Sequence, residues 1–196
     1  MRARHLIRLR RRHETIQLRD AIPEILFLNS HDGTSAYQLR VGLFRVVCTN
    51  GLIASSGVFP VWRVTHRGDV VDDVVGAALE LSQRFDLLAA SVERMERTML
   101  DIGQRLELAR QAIELRFPKD GPGAMEPSQP LVPRRPQDVG NDLWRTFNVI
   151  QEATLQGGLV RRSASNRLTR TRRISAIRED VRLNSALWER AIALTA

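Results

Sequence analysis

Hydrophobic and polar positions divide this chain into three differently patterned parts. In the first, apolar residues come in short alternating or continuous runs. Over Arg4–Arg12, Ile7 and Leu9 fall on one side of an extended segment and Arg8, Arg10 and Arg12 on the other. Glu24–Leu28 (EILFL) reads as a more fully buried strand after a turn at Asp20–Pro23, and Ala36–Val41 as its hairpin partner. Phe44–Thr49 (FRVVCT) and Phe59–Thr65 (FPVWRVT) are further β-prone runs. Asp32-Gly33 and Asn50-Gly51 are dipeptides suited to the positive φ values of tight hairpin turns. The first third is therefore expected to form an antiparallel sheet of about four to six short strands.

The period then changes. From Val71 through Leu81, Leu88, Met95, Ile102 and Ala109 to Phe117, apolar residues recur every three or four positions, the helical spacing. One straight helix over Val70–Phe117 would run about 70 Å at 1.5 Å per residue, too long for a domain of this size. Thr98 with Asp101 reads as a capping box and Gly103 weakens the helix beside it, so two helices broken around Thr98–Gly103 are expected. Asp69 is the expected N-cap of the first. The stripe itself is assigned to core or to contact between copies, which makes a homo-oligomer through Val70–Phe117 an expectation.

Pro118–Pro136 holds six prolines and two glycines and is expected to form no regular structure. Beyond it, Leu143, Phe147, Ile150 and Thr154 share a face of a helix over Asn141–Gln156, which Gly157-Gly158 should end. Val160–Arg173 (VRRSASNRLTRTRR) reads as a loop, and Ser175–Leu194 as a last helix with Ile177, Val181, Trp188 and Ala191 on one side. The fold class is α+β: an N-terminal antiparallel sheet of short strands packed by long helices, then a C-terminal helical pair. The expected layout is a sheet and helix or helix pair over 1–117, a proline-rich linker over 118–137 and a helical unit over 138–196, together one compact domain.

Charge changes the picture most. The net charge is +8, and of 30 cationic residues only Lys119 is not arginine. Arginine grips phosphate in planar, bidentate fashion, so the excess suits nucleic acid, although a GC-rich genome writes arginine for lysine regardless. Six arginines with no acid occupy Arg161–Arg173, interleaved with Ser, Thr and Asn, which also contact phosphate. Arg161, Arg162, Arg167, Arg170, Arg172 and Arg173 are thus the leading nucleic-acid candidates, with Arg8, Arg10 and Arg12 behind them. Base stacking needs exposed aromatics, and Tyr37 is the best candidate.

Other chemistry finds little support. A lone Cys excludes an internal disulfide, and no run approaches the roughly 20 apolar residues that span a bilayer. The N-terminus lacks the apolar stretch of a signal peptide, so a cytoplasmic location is expected. There is no CxxC, HExxH, GxxxxGK[ST] or GxGxxG, and neither a metal nor a cofactor is expected. Asp69, Asp72 and Asp73 are better explained by helix capping and the macrodipole than by a two-metal site. Cys48 with His66 or His31 as base would make a nucleophile, but a strand cysteine is more often a buried hydrophobe. His66 lies at the passage from strand to helix, where side chains often meet ligands. On balance no enzyme activity is expected.

FLNSHDGTSAYQL, FRVVCTNGLI, THRGDVV, DLWRTFNVIQEATLQGGL and DVRLNSALW, in this order and spacing, resemble the phage/plasmid-like proteins grouped as domain of unknown function 932. Members of that family usually begin earlier, and a chain that opens in mid-strand fits an absent upstream portion. The resemblance implies carriage on a mobile element and brings no catalytic residues. Cys48, Asn50 and His66 match its most recognisable positions. The expected function is a nucleic-acid-binding accessory protein, binding DNA or RNA with single strands favoured. The alternatives are a hydrolase or nucleotide-modifying enzyme centred on Cys48 and His66, and a protein-interaction module acting on a host factor.

Overall fold

Five strands carry the first third of the chain: β1 (Arg4–Leu9), β2 (Ala21–Ser30), β3 (Tyr37–Arg45), β4 (Gly51–Ile53) and β5 (Trp62–Val64). The computed structural model describes residues 4–10, 21–30, 36–45, 51–54, 59–65, 69–118, 125–162 and 167–195. They belong to two compact units, Met1–Val92 and Glu93–Ala196.

In the first unit all pairings are antiparallel, in the order β1-β2-β3-β4, with β5 also on β3. β3 is the hub, because Tyr37–Leu39 face β5 while Gly42–Phe44 face β4 along the same edge. Two strands were expected here, Ala36–Val41 and Phe44–Thr49, yet β3 runs through Gly42 unbroken. A Cβ on Gly42 would stand 2.5 Å from Leu26 Cδ1 and 2.6 Å from the Leu52 carbonyl, so this glycine serves close packing and not a turn. Pro23 sits in β2 opposite Leu43 of β3 and beyond the last described β1 pair, Leu9 with Ile25.

Leu39, Val41, Leu43 and Leu52 fill one face of the sheet, with helix α1 (Val70–Ser82) packed against β2, β3 and β5. The other face holds Leu26, Ile53 and, unusually, Glu24, whose exposure is 0%. β1 alternates as the sequence implies, but its arginine side is the one turned to this carboxylate. Arg8 donates to Glu24 Oε1, and Arg10 Nε donates to Oε2 at 3.0 Å while its guanidinium lies 3.5 Å over the Phe44 ring. Ile7 and Leu9 are left about half exposed at the sheet edge. Gly51 makes room for this arrangement, since any Cβ there would collide with the Arg8 guanidinium. Gly51, expected as a turn glycine at positive φ, instead opens strand β4 without one and serves as the bed of an ion pair.

The apolar periodicity over Val70–Phe117 is carried by three helices: α1, α2 (Phe85–Arg97) and α3 (Ile102–Arg116). The expected break appears, and the capping box there joins Asp101 to Gln104: Gln104 N donates to Asp101 Oδ1 at 2.8 Å and Asp101 N to Gln104 Oε1 at 2.9 Å. A second break at Gln83-Arg84 was not anticipated. Asp69 stands at the N-cap of α1 but its side chain makes no capping bond, leaving Asp72 and Asp73 to complement the helix dipole.

In the second unit α3, α4 (Leu143–Gln156) and α5 (Ile177–Ala193) pack on one another. α4 is buried on nearly all sides, beyond the single stripe its sequence displays. Trp144, Phe147 and Trp188 form its aromatic centre, with Phe147 edge-on to Trp188 at 6.0 Å. Several of its buried polar groups are paired, though Thr146 Oγ1 and Asn148 Oδ1 have no hydrogen-bond partner among the described residues. Gln151 donates to Asn184 at 2.9 Å, and Glu152 accepts from both terminal nitrogens of the Arg135 guanidinium at 2.5 Å. The proline-rich stretch, expected to be irregular, contributes two short 3-10 turns, Gln129–Leu131 and Pro136–Asp138, because proline suits the first positions of each, and Pro130 is buried.

Removing both partners of Glu24 would leave a carboxylate buried without compensation. Arg8→Ala with Arg10→Ala is expected to lower unfolding free energy by about 3–5 kcal/mol in urea titration. A loss below about 1 kcal/mol would mean that water reaches Glu24.

Candidate nucleic-acid interface

Val160–Arg173, expected as a loop, is instead a two-stranded ribbon of β6 (Val160–Arg162) and β7 (Leu168–Arg170). Gly157 and Gly158, both at positive φ (77° and 87°), turn the chain sharply out of α4. The close return of the second strand requires it, since a Cβ on Gly157 would lie 2.6 Å from the Thr171 carbonyl. Thr171 then seals the root: its N–H donates to Leu159 O at 2.8 Å, its carbonyl accepts from Gly158 N at 2.9 Å, and its hydroxyl accepts from Leu159 N at 3.0 Å.

Three further side chains pin this root. The Gln129 amide serves Val160 twice, accepting from its N–H at 2.8 Å and donating to its carbonyl at 2.9 Å, as a neighbouring strand would. Arg134 donates to Gly157 O at 2.7 Å. Arg116, at the end of α3, donates to the carbonyls of Thr154 and Arg172, joining the end of α4 to the chain leaving the ribbon. Burial pulls the Arg116 guanidinium below its ordinary pKa; Glu179 opposes this, and neighbouring Arg161 adds to it.

On this rigid base the charge is displayed. No acid occurs between Glu152 and Glu179, and Arg162, Arg167, Arg170, Arg172 and Arg173 are exposed. Arg161 is half-buried, its guanidinium 5.0 Å from the Phe117 ring centre, with Arg116 at 5.1 Å from the same ring. The register puts Val160 opposite Arg170, Arg161 opposite Thr169 and Arg162 opposite Leu168. Cross-strand partners share a face, so Val160, Arg162, Leu168 and Arg170 line one side and Arg161 and Thr169 the other.

The remaining sequence candidates fall elsewhere. Arg8 and Arg10 are in the first unit, engaged with Glu24. Tyr37, also there, stacks on Phe27 with ring centres 5.3 Å apart. Arg12, Cys48, Asn50, His66 and His31 lie outside the described residues. Among the described residues no group of three or more His, Cys, Asp or Glu could hold a metal ion, and no helix is long and apolar enough to cross a membrane. Sequence reasoning missed Gln129, Arg116 and Arg134, whose roles depend on contacts 23 to 56 positions away. The lone acid inside EILFL was the one available signal for the Arg8–Glu24–Arg10 cluster.

An α+β architecture with an antiparallel sheet in one unit and a helix-mounted basic ribbon in the other is the class these features define. The chain belongs to the family described as Domain of unknown function (DUF932), which it matches over residues 2–188. It is 44% identical over 191 residues to the UPF0380 protein YafZ of Escherichia coli (strain K12), covering 97% of this chain and 68% of that protein. The UPF0380 protein YfjQ of the same organism is 42% identical over 191 residues, with the same coverage. No solved structure matches the chain.

Gln129→Ala should free the Val160 amide. Its hydrogen exchange is expected to speed up by about tenfold, corresponding to one lost hydrogen-bonded clamp, while amides in the centre of α4 keep their rates. Unchanged exchange at Val160 would mean that the ribbon root does not depend on Gln129.

Proposed function

We propose that this protein binds nucleic acid through the β6–β7 ribbon, gripping phosphates with arginine and reading little or no sequence. The observation that carries the proposal is the concentration of six arginines over Arg161–Arg173, without an acid, on a ribbon fixed at its root. Like charges held this close repel one another, and a polyanion relieves that repulsion. Fixing the root means that little backbone entropy is lost when the ligand docks. Base stacking has no comparable support, because the described ribbon residues include no aromatic and Tyr37 is engaged with Phe27. A role as an accessory protein of a mobile element accords with this reading and belongs to the same proposal.

Binding should weaken steeply with salt, by about 0.9 log units per log unit of salt for each duplex phosphate neutralised. Changing Arg162, Arg170, Arg172 and Arg173 together to Ala is expected to flatten that slope by about 3 to 4, as four lost phosphate contacts require. Fluorescence anisotropy with labelled duplexes and single strands of several sequences measures it. An unchanged slope would remove the ribbon from the interface, and a stable protein complex surviving nuclease treatment would point to a protein partner instead.

A further inference from the structure

One apolar residue stands out of keeping with a purely phosphate-binding ribbon. Leu168 is 65% exposed, directly opposite Arg162, with Arg167 before it and Arg170 two positions on. A single exposed leucine is ordinary on a protein surface. This one is held on a strand at the outermost described rung of a ribbon pinned at its root, on the same face as Arg162 and Arg170. Cationic and apolar groups therefore alternate across one face, Val160 beside Arg170 and Arg162 beside Leu168, with direct neighbours about 5 Å apart at Cβ. A phosphate-only surface has no use for a leucine there. A surface that enters a groove does.

Resting on the nucleic-acid reading above, the geometry points to duplex DNA as the ligand, with the ribbon in the minor groove and Leu168 as a wedge between base pairs. Minor-groove proteins insert apolar side chains of this kind at a base step, partly unstacking it and kinking the duplex toward the major groove. Arg162 and Arg170 flank Leu168 where the narrow groove concentrates negative potential, which attracts arginine. Exposed Arg172 and Arg173, just beyond the ribbon, are available to the adjoining phosphates. The wedge also selects among nucleic acids. A single strand has no stacked step to open in this way, and the minor groove of an A-form RNA duplex is too wide and shallow to clasp a leucine between flanking arginines. Flexible pyrimidine–purine steps, the easiest to unstack, should be the preferred positions.

The test uses the full chain and a duplex of about 30 base pairs carrying a donor and an acceptor dye at its ends, with and without a central TA step. Wild-type protein should bind, shorten the end-to-end distance, and favour the TA duplex. Leu168→Ala, at an exposed position that leaves folding intact, should keep the salt slope of binding but lose the shortening, with affinity for the TA duplex down about tenfold. Leu168→Met, which preserves an apolar wedge, should retain most of the bend. Binding without bending, or bending that survives Leu168→Ala, overturns the wedge and leaves the phosphate contacts standing. Preference for the single strand overturns the choice of duplex DNA. Absence of binding to any nucleic acid overturns the underlying reading as well. In that case Leu168-dependent binding to vesicles containing anionic lipid would reassign the ribbon to a membrane surface.

Discussion

The guanidinium of Arg116 is the contact on which the basic ribbon depends. It leaves α3, reaches the carbonyl of Thr154 near the end of α4, and reaches the carbonyl of Arg172 where the chain leaves β7. The last carbonyls of a helix have no partners within the helix, and a cation that satisfies them also complements the dipole. Arg116 spends its charge on that task and so fixes the exit of α4 relative to the returning strand. Gly157 and Gly158 can then turn the chain outward at positive φ, and Gln129 and Arg134 hold the turned segment from a second side. A short ribbon alone would be marginal in water. Here its strands begin already registered.

Arginine thus has two occupations in this protein. Some are structural cations. Arg8 and Arg10 compensate Glu24 in the first unit, Arg135 compensates Glu152 in the second, and Arg145 pairs with buried Asp142 at the start of α4. Each of these carboxylates is almost wholly buried, and removal of its partner would be expensive. The arginines of Arg161–Arg173 differ because no carboxylate lies near them in sequence and most are exposed. A net charge of +8 does not distinguish the two groups. Their exposure and sequence context do, and these favour the ribbon as the proposed interface.

Much of the architecture was legible in the sequence. Alternation and β-prone runs announced the antiparallel sheet, the three-to-four spacing announced the helices, and Gly157-Gly158 marked the end of α4. What stayed hidden was non-local. The continuity of β3 through Gly42 was not legible, because that glycine's role is to admit Leu26 and the Leu52 carbonyl, both distant in sequence. The ribbon looked like a loop because strands of three residues with arginine at half their positions carry almost no β signal. The orientation of β1 was unreadable from its own residues, since either side could have faced inward until Glu24 decided it. α4 displayed one apolar face, while its buried Asn148, Gln151 and Glu152 required partners from α4 itself, α5 and the proline-rich stretch. Of the proposed site, the arginines were legible and their mounting was not.

The central claim, that the ribbon is the nucleic-acid interface, is tested most directly by hydrogen exchange on the full chain with and without a saturating DNA duplex. The account predicts new protection over residues 158–162 and 167–173, with the sheet of the first unit unchanged. Protection confined to Met1–Val92, with the ribbon exchanging as before, would contradict it.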